Sequence, residues 1–395
     1  MVAIVALLVA TVASLFMAWA IGAGSSGSTP FAPAVGAKAI SIMRASFLVG
    51  LLGFAGATLQ GANVSEAMGR ELIHGVSLSP VAATVGLLTA ASLVAIGVFT
   101  GYPIATAFTV TGAVVGVGLA LGGDPAWGKY RQIALLWTLT PFVGGGIAYA
   151  TARSLDSDPD RRPMYISGLA GAVGLVIANI EFAALGSASN AASISTVGAQ
   201  AFPLFVSAES TAGKAFISLT IALTCAGISY RELARDEVRA ERRFLLVLGG
   251  LVAFSAGGSQ VGLAIGPLLP MLDPFELPLT AILIGGGVGL LAGSWTGAPR
   301  MIKAVSRDYS ALDSRSSIAA LVPSFAIAQT AVFFGIPVSF NEIIISAIIG
   351  SGYASGGAGS VSRKKMGYTI LAWIASLTIA IVLGYTAFTA ITMIR

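Results

Sequence analysis

The stretches GYPIATAFTVTGAVVGVG at residues 101–118 and GIPVSFNEIIISAIIGSG at residues 335–352 share one frame. In each, a Pro is followed 13 and 15 residues later by Gly, which sets Pro103, Gly116 and Gly118 against Pro337, Gly350 and Gly352. Downstream, Lys129 lies eight residues before Trp137 and Lys365 eight before Trp373, with Pro-to-Trp separations of 34 and 36. Upstream, AIGAGSSGSTP at 20–30 corresponds to AFSAGGSQVGLAIGP at 253–267. Ser25 stands 78 residues before Pro103, and Gln260 stands 77 before Pro337. Three landmarks in one order at nearly one spacing mark an internal duplication. It divides the chain into an N-terminal repeat (1–152), central helices with a basic loop (153–243) and a C-terminal repeat (244–395).

Composition says where such a repeat resides. Of 395 residues, 56% are apolar and 10% are charged. A water-facing domain carries about 25% charged residues. The mean hydropathy is +0.88. Together these exclude a nucleic-acid binder and a disordered scaffold, and imply a polytopic membrane protein. One Cys, Cys225, forms no internal disulfide, and one His, His74, builds no zinc site. Neither a metal centre nor a cofactor is expected, and without a nucleophile–base pair or metal cluster the chain does not read as an enzyme.

The expected architecture is all-α, with roughly 10–12 membrane segments, two broken helices and two re-entrant hairpins. Met1–Ala20 reads as the first membrane segment. The segments at 103–122 and 337–355 begin at a Pro close behind another apolar run, so both read as hairpin arms. Residues 231–243 hold five Arg and are expected to be cytoplasmic; Arg153, Arg161 and Arg162 make the 153–163 loop basic as well. Of the apolar runs at 164–186, 190–206 and 212–229, one is then not a full span.

Paired interruptions of apolar runs point to transport. The clusters at 22–29 and 257–260, and those at 103–111 and 337–341, are rich in Gly, Ser, Thr and amides. Unwound backbone at membrane depth is tolerated only where it is buried or lines a polar cavity. Two homologous halves create a pseudo-two-fold site at the midplane. Free N–H groups at half-helix ends, with hydroxyls beside them, suit an anion. The expected donors are Gly24, Ser25, Ser28, Thr29, Thr106, Thr109, Ser259, Gln260, Ser339 and Asn341. Glu342 precedes Ile343–Ile345, and a carboxyl at membrane depth is a functional-site candidate by default. It is expected to couple transport to protons and, when protonated, to donate a hydrogen bond to the anion.

These landmarks resemble the PiT-type inorganic phosphate transporter family, whose pattern is a G-x-N-D-x-x-N signature in each half followed by P-V-S-T-T-H. Ala264-Ile-Gly-Pro267 is intact, and the hairpin motif stands as Pro103–Phe108 and Pro337–Glu342. The resemblance covers about 1–150 and 245–395. It implies a secondary transporter importing an inorganic oxyanion, phosphate first, by symport with sodium or protons, from within a lipid bilayer and as a homodimer. Where the family has Asn-Asp, this chain has Gly24-Ser25 and Ser259-Gln260, so both family carboxylates are missing. Their loss weakens the case for sodium as coupling ion and also resembles the sulfate permease branch. Sulfate with proton coupling is therefore the alternative.

Overall fold

The computed structural model describes residues 2–187, 190–201 and 211–394. The stretch expected as the first repeat holds α1 (Val2–Gly24), α2 (Ala32–Gly36), α3 (Ile42–Gln60), α4 (Ala62–Arg70), α5 (Pro80–Thr100), α6 (Thr106–Ala120) and α7 (Trp127–Ser157). The part between holds α8 (Arg162–Asn179), α9 (Ile194–Ala201) and α10 (Thr211–Arg235). The stretch expected as the second repeat runs from α11 (Glu237–Ile265) through α12 (Leu269–Leu272), α13 (Leu279–Thr296), α14 (Ala298–Asp308), α15 (Ser314–Phe333), α16 (Phe340–Gly356) and α17 (Arg363–Ile394). Two small antiparallel ladders complete the chain: β1 (Ile73–His74) with β2 (Asp124–Pro125), and β3 (Glu181–Ser187) with β4 (Asn190–Ser193). Among the described residues, nine helices are long and apolar enough to cross a membrane, while α6, at 15 residues, is not.

Equivalent elements make exchanged contacts. Trp137 Nε1 donates to the Pro337 carbonyl at 2.8 Å, and Trp373 Nε1 donates to the Pro103 carbonyl at 2.8 Å. Lys129 Nζ meets the Gly335 carbonyl at 3.3 Å, and Lys365 Nζ meets the Gly101 carbonyl at 3.4 Å. Each lysine thus places its charge at the negative end of a helix, α15 or α5. Gly116 abuts the Ile381 backbone as Gly350 abuts that of Gly145. The equivalent helices α3 and α13 lie antiparallel, with Ser46 bonded to the Ser294 carbonyl near one end and Gly61 against Leu283 near the other.

Local chemistry sets the hairpins. Ser79 caps α5 ahead of Pro80, and Asp313 with Ser316 forms a capping box on α15. Both helices stop at a glycine with positive φ, Gly101 (+74°) and Gly335 (+59°). Each chain then turns through a Pro into α6 or α16. Trp373→Phe keeps an aromatic ring in place but strands the Pro103 carbonyl. It should destabilise the protein by about 1–3 kcal/mol, read as a lower unfolding midpoint.

One expectation needs correction. The second helix is not broken at 257–260: α11 continues to Ile265 and changes only at a 3-10 turn, Gly266–Leu268. Gly257 is spent on close packing instead, its Cα facing the Gly53 carbonyl of α3, so no backbone is freed there. The first break is present, since α1 ends at Gly24 and turns through 25–31 into α2. The apolar run at 190–206 forms β4 and α9 up to residue 201, and its last residues lie outside the described part. It is not one membrane helix, because β3 supplies 190–193 with a strand partner. The two basic linkers meet, with Arg162 Nη1 3.3 Å from Glu237 Oε1.

Candidate functional site

The break after α1 and the two hairpin turns converge on α11. Ser25 N and Ser26 N still bond to the Ile21 carbonyl, at 2.9 and 3.2 Å. The Ser25 carbonyl then gathers Ser28 N and Thr29 N, both at 3.0 Å, and the hydroxyls of Ser28 and Thr29, both at 3.1 Å. Those two side chains therefore shape the turn, their hydroxyl protons already committed. Thr109 is committed in the same way, donating to the Ala105 carbonyl at 2.9 Å.

Thr106 is the junction. Its Oγ1 lies 2.8 Å from Gln260 Oε1 and 3.3 Å from Ser25 Oγ. Gln260 Nε2 donates onward to the Val338 carbonyl in the second hairpin. Asn341 Nδ2 reaches back to the carbonyls of Gly24 (3.0 Å) and Ile104 (2.6 Å). Gly24, Ser25, Thr106, Gln260 and Asn341 thus form one cluster drawn from both repeats. The two positions where the resembling family carries carboxylates, Ser25 and Gln260, meet on a single threonine.

Unspent valence lies in and beside this cluster. Ser259 Oγ, Ser339 Oγ and Asn341 Oδ1 are buried without a hydrogen-bond partner. Because Asn341 Nδ2 serves two carbonyls, its Oδ1 is fixed as a free acceptor. The N-terminus of α6 follows Ala105 and that of α16 follows Ser339, and neither carries a side-chain cap. The first-turn N–H groups of both helices lack helical acceptors. Free hydroxyls, two positive helix ends and one acceptor suit a partly protonated oxyanion.

Glu342 faces elsewhere. It is 2% exposed, but its side chain lines a cleft among α7, α16 and α17, together with Phe108, Trp137 and Trp373. One residue along a helix turns the side chain by about 100°, so Asn341 and Glu342 serve different surfaces. The cleft that Glu342 lines is not the cluster around Thr106. Phe108 and Glu342 occupy equivalent positions, each five residues after the hairpin Pro.

A polar group not singled out in the sequence lies one helical turn from Ser259. Gln60 and Gln329 exchange amide hydrogen bonds at 3.4 and 3.3 Å, and Gln329 Nε2 donates to Ser255 Oγ at 2.6 Å. The pair lines a vestibule of about 450 Å³ among α3, α8, α15 and β3. A Gln amid the apolar residues of α3, and another in α15, was the available signal.

The sequence matches the Phosphate transporter family over residues 22–384. A chain of Thermococcus kodakarensis assigned as a phosphate permease is 25% identical over 95% of both chains. One from Pyrococcus furiosus, assigned likewise, is 26% identical over 98% of this chain and 97% of its own length. The chloroplastic inorganic phosphate transporter 2-1 of Arabidopsis thaliana is 24% identical, covering 93% of this chain and 69% of that one. A solved structure titled the sodium-dependent phosphate transporter superposes with a TM-score of 0.81 at 21% identity, covering 99% of this chain and 100% of that one. The fold, shared from end to end, and the matched residues place this multi-pass membrane protein in the phosphate transporter family, whose members transport rather than catalyse.

Proposed function

We propose that this chain imports inorganic phosphate by alternating access, with the anion held between the N-termini of α6 and α16. Ser25, Ser259 and Ser339 supply hydroxyls, and Asn341 Oδ1 accepts a hydrogen bond from the hydroxyl that phosphate retains near neutrality. Ser28, Thr29 and Thr109 hold the turns that present these groups. The observation that supports the reading best is the meeting of two uncapped helix ends, one from each repeat, beside the unpartnered buried oxygens of Ser259, Ser339 and Asn341. The vestibule above Gln60 and Gln329 supplies an approach, and the positive-inside rule supports a cytoplasmic 231–243 linker.

We further infer that a proton is the coupling ion and that Glu342 carries it. Neither Ser25 nor Gln260 offers the charged oxygen that a sodium ion favours. Glu342 has a free Oε2 and faces a surface other than the anion's, so proton and anion load at separate places. Uptake of labelled phosphate and sulfate into proteoliposomes, with and without sodium and with an acid-outside pH step, tests this. Phosphate uptake should exceed sulfate uptake, rise several-fold with the pH step and ignore sodium. Glu342→Gln should abolish the pH response. A sulfate preference would favour the sulfate permease reading, and an undiminished pH response in Glu342→Gln would remove Glu342 from coupling.

A further inference from the structure

A cleft of about 540 Å³ opens among α7, α16 and α17. The indoles of Trp137 and Trp373 and the ring of Phe108 wall it, with Ile345, Ile349 and Ile370 completing an apolar lining. Phe108 and Trp137 stack with ring centroids 3.9 Å apart. At the mouth, Phe142 and Ile374 are 73% and 59% exposed on helices that cross the membrane, so the opening faces lipid.

One acid lines this space. Glu342 is 2% exposed and its Oε2 has no hydrogen-bond partner. No Lys, Arg or His, and no second acid, is among the lining residues. The indole N–H groups are already spent on the Pro337 and Pro103 carbonyls, and Thr369 Oγ1 is paired with Tyr309 Oη at 2.7 Å. The cleft therefore offers an unmatched acceptor, aromatic faces that favour a cation, and hydrocarbon walls reached from the bilayer. An anion is repelled by the same carboxyl, and a neutral lipid tail leaves it unmatched.

We propose that this cleft binds a lipophilic primary ammonium, with its headgroup on Glu342 between the indoles and its alkyl chain lying toward Phe142 and Ile374. The site is apart from the anion donors and stands whether or not Glu342 carries the coupling proton. Equilibrium binding of radiolabelled dodecylamine to the full chain in lipid nanodiscs, against empty nanodiscs, measures it without transport. Dodecanol serves as the neutral match. Amine binding should saturate at one site per chain, and dodecanol should bind at least about tenfold more weakly. Glu342→Gln should weaken the amine about tenfold and leave the alcohol unchanged, while Glu342→Asp keeps the preference for amine. Ile374→Trp, which fills the mouth without touching the acid, should remove the saturable amine site. Equal binding of amine and alcohol, or amine binding unchanged in Glu342→Gln, overturns the proposal. If Glu342→Gln does not fold, saturable amine binding retained in Ile374→Trp overturns it instead.

Discussion

Gly257→Ala should yield little folded protein. The added methyl would overlap the Gly53 carbonyl, and the next nearest atoms are also Gly53 backbone, which cannot rotate away. On the same helix pair Gly56 faces the Phe254 carbonyl, so α3 and α11 approach backbone to backbone. The equivalent pair α1 and α13 copies this, with Gly22 against the Leu290 carbonyl and Gly293 against that of Trp19. Small residues at such contacts are what drive helix association in lipid, where no hydrophobic force acts between helices. Overpacking a core by one methylene costs about 1–3 kcal/mol where side chains can yield. Here two backbones must separate, which shifts α11 and with it Gln260, so about 3 kcal/mol or more is expected for Gly257→Ala and for Gly22→Ala. Gly285→Ala is the control: nothing lies within 4 Å of its added methyl, and alanine favours a helix by about 1 kcal/mol. The monodisperse fraction on size exclusion and the thermal midpoint decide it. A wild-type midpoint for Gly257→Ala would mean that α3 and α11 are not in backbone contact.

The glycines also explain how far the sequence could be read. The Pro-Gly-Gly frame was legible because each landmark answers to one contact that both repeats need: Gly116 against Ile381 and Gly350 against Gly145. The second break was misread because a glycine cluster reads the same whether it unwinds a helix or lets one pack closely. The proline distinguishes them. Pro30 follows Ser25 closely, behind Ser28 and Thr29, and the helix stops. After Gln260, the run Val261–Ile265 comes before Pro267, and the helix carries on.

Within the site, residue type was legible and direction was not. Hydroxyls within reach of a carbonyl three or four residues back are taken up locally, which is the fate of Ser28, Thr29 and Thr109. Ser259 and Ser339 escape it and remain without partners. The side to which Glu342 points depends on α16 starting at Phe340, a boundary that hydropathy alone does not fix to one residue. The strands of the central part were missed because short apolar runs carry no period that separates strand from buried helix.

Gln260→Leu should leave the fold in place and cut phosphate uptake by at least about tenfold, the equivalent of 1.4 kcal/mol. Leucine fills nearly the same volume, so packing against Thr106 and the second hairpin survives. The hydrogen bonds do not: Thr106 Oγ1 loses its 2.8 Å acceptor and the Val338 carbonyl loses its donor, both in buried surroundings. The stranded Val338 carbonyl costs about 1–3 kcal/mol, and Thr106 keeps only its longer contact to Ser25 Oγ at 3.3 Å. That cost falls on the register of the two hairpins, because Gln260 ties α6 of one repeat to the loop before α16 of the other. Thr106→Val should produce a similar loss, and the double variant little more than either alone, since the two share one bond. Asn341→Leu breaks a separate tie, to Gly24 and Ile104, and should add to Gln260→Leu rather than merge with it. Gln260→Glu separates geometry from charge. It keeps an acceptor for Thr106 but sets a carboxylate beside the anion, so uptake in sodium-free medium should fall below that of Gln260→Leu. Sodium should restore part of it, because the new oxygen supplies the charge that the ion favours. If Gln260→Leu transports at the wild-type rate, the cluster on Thr106 is a packing contact and the anion sits elsewhere.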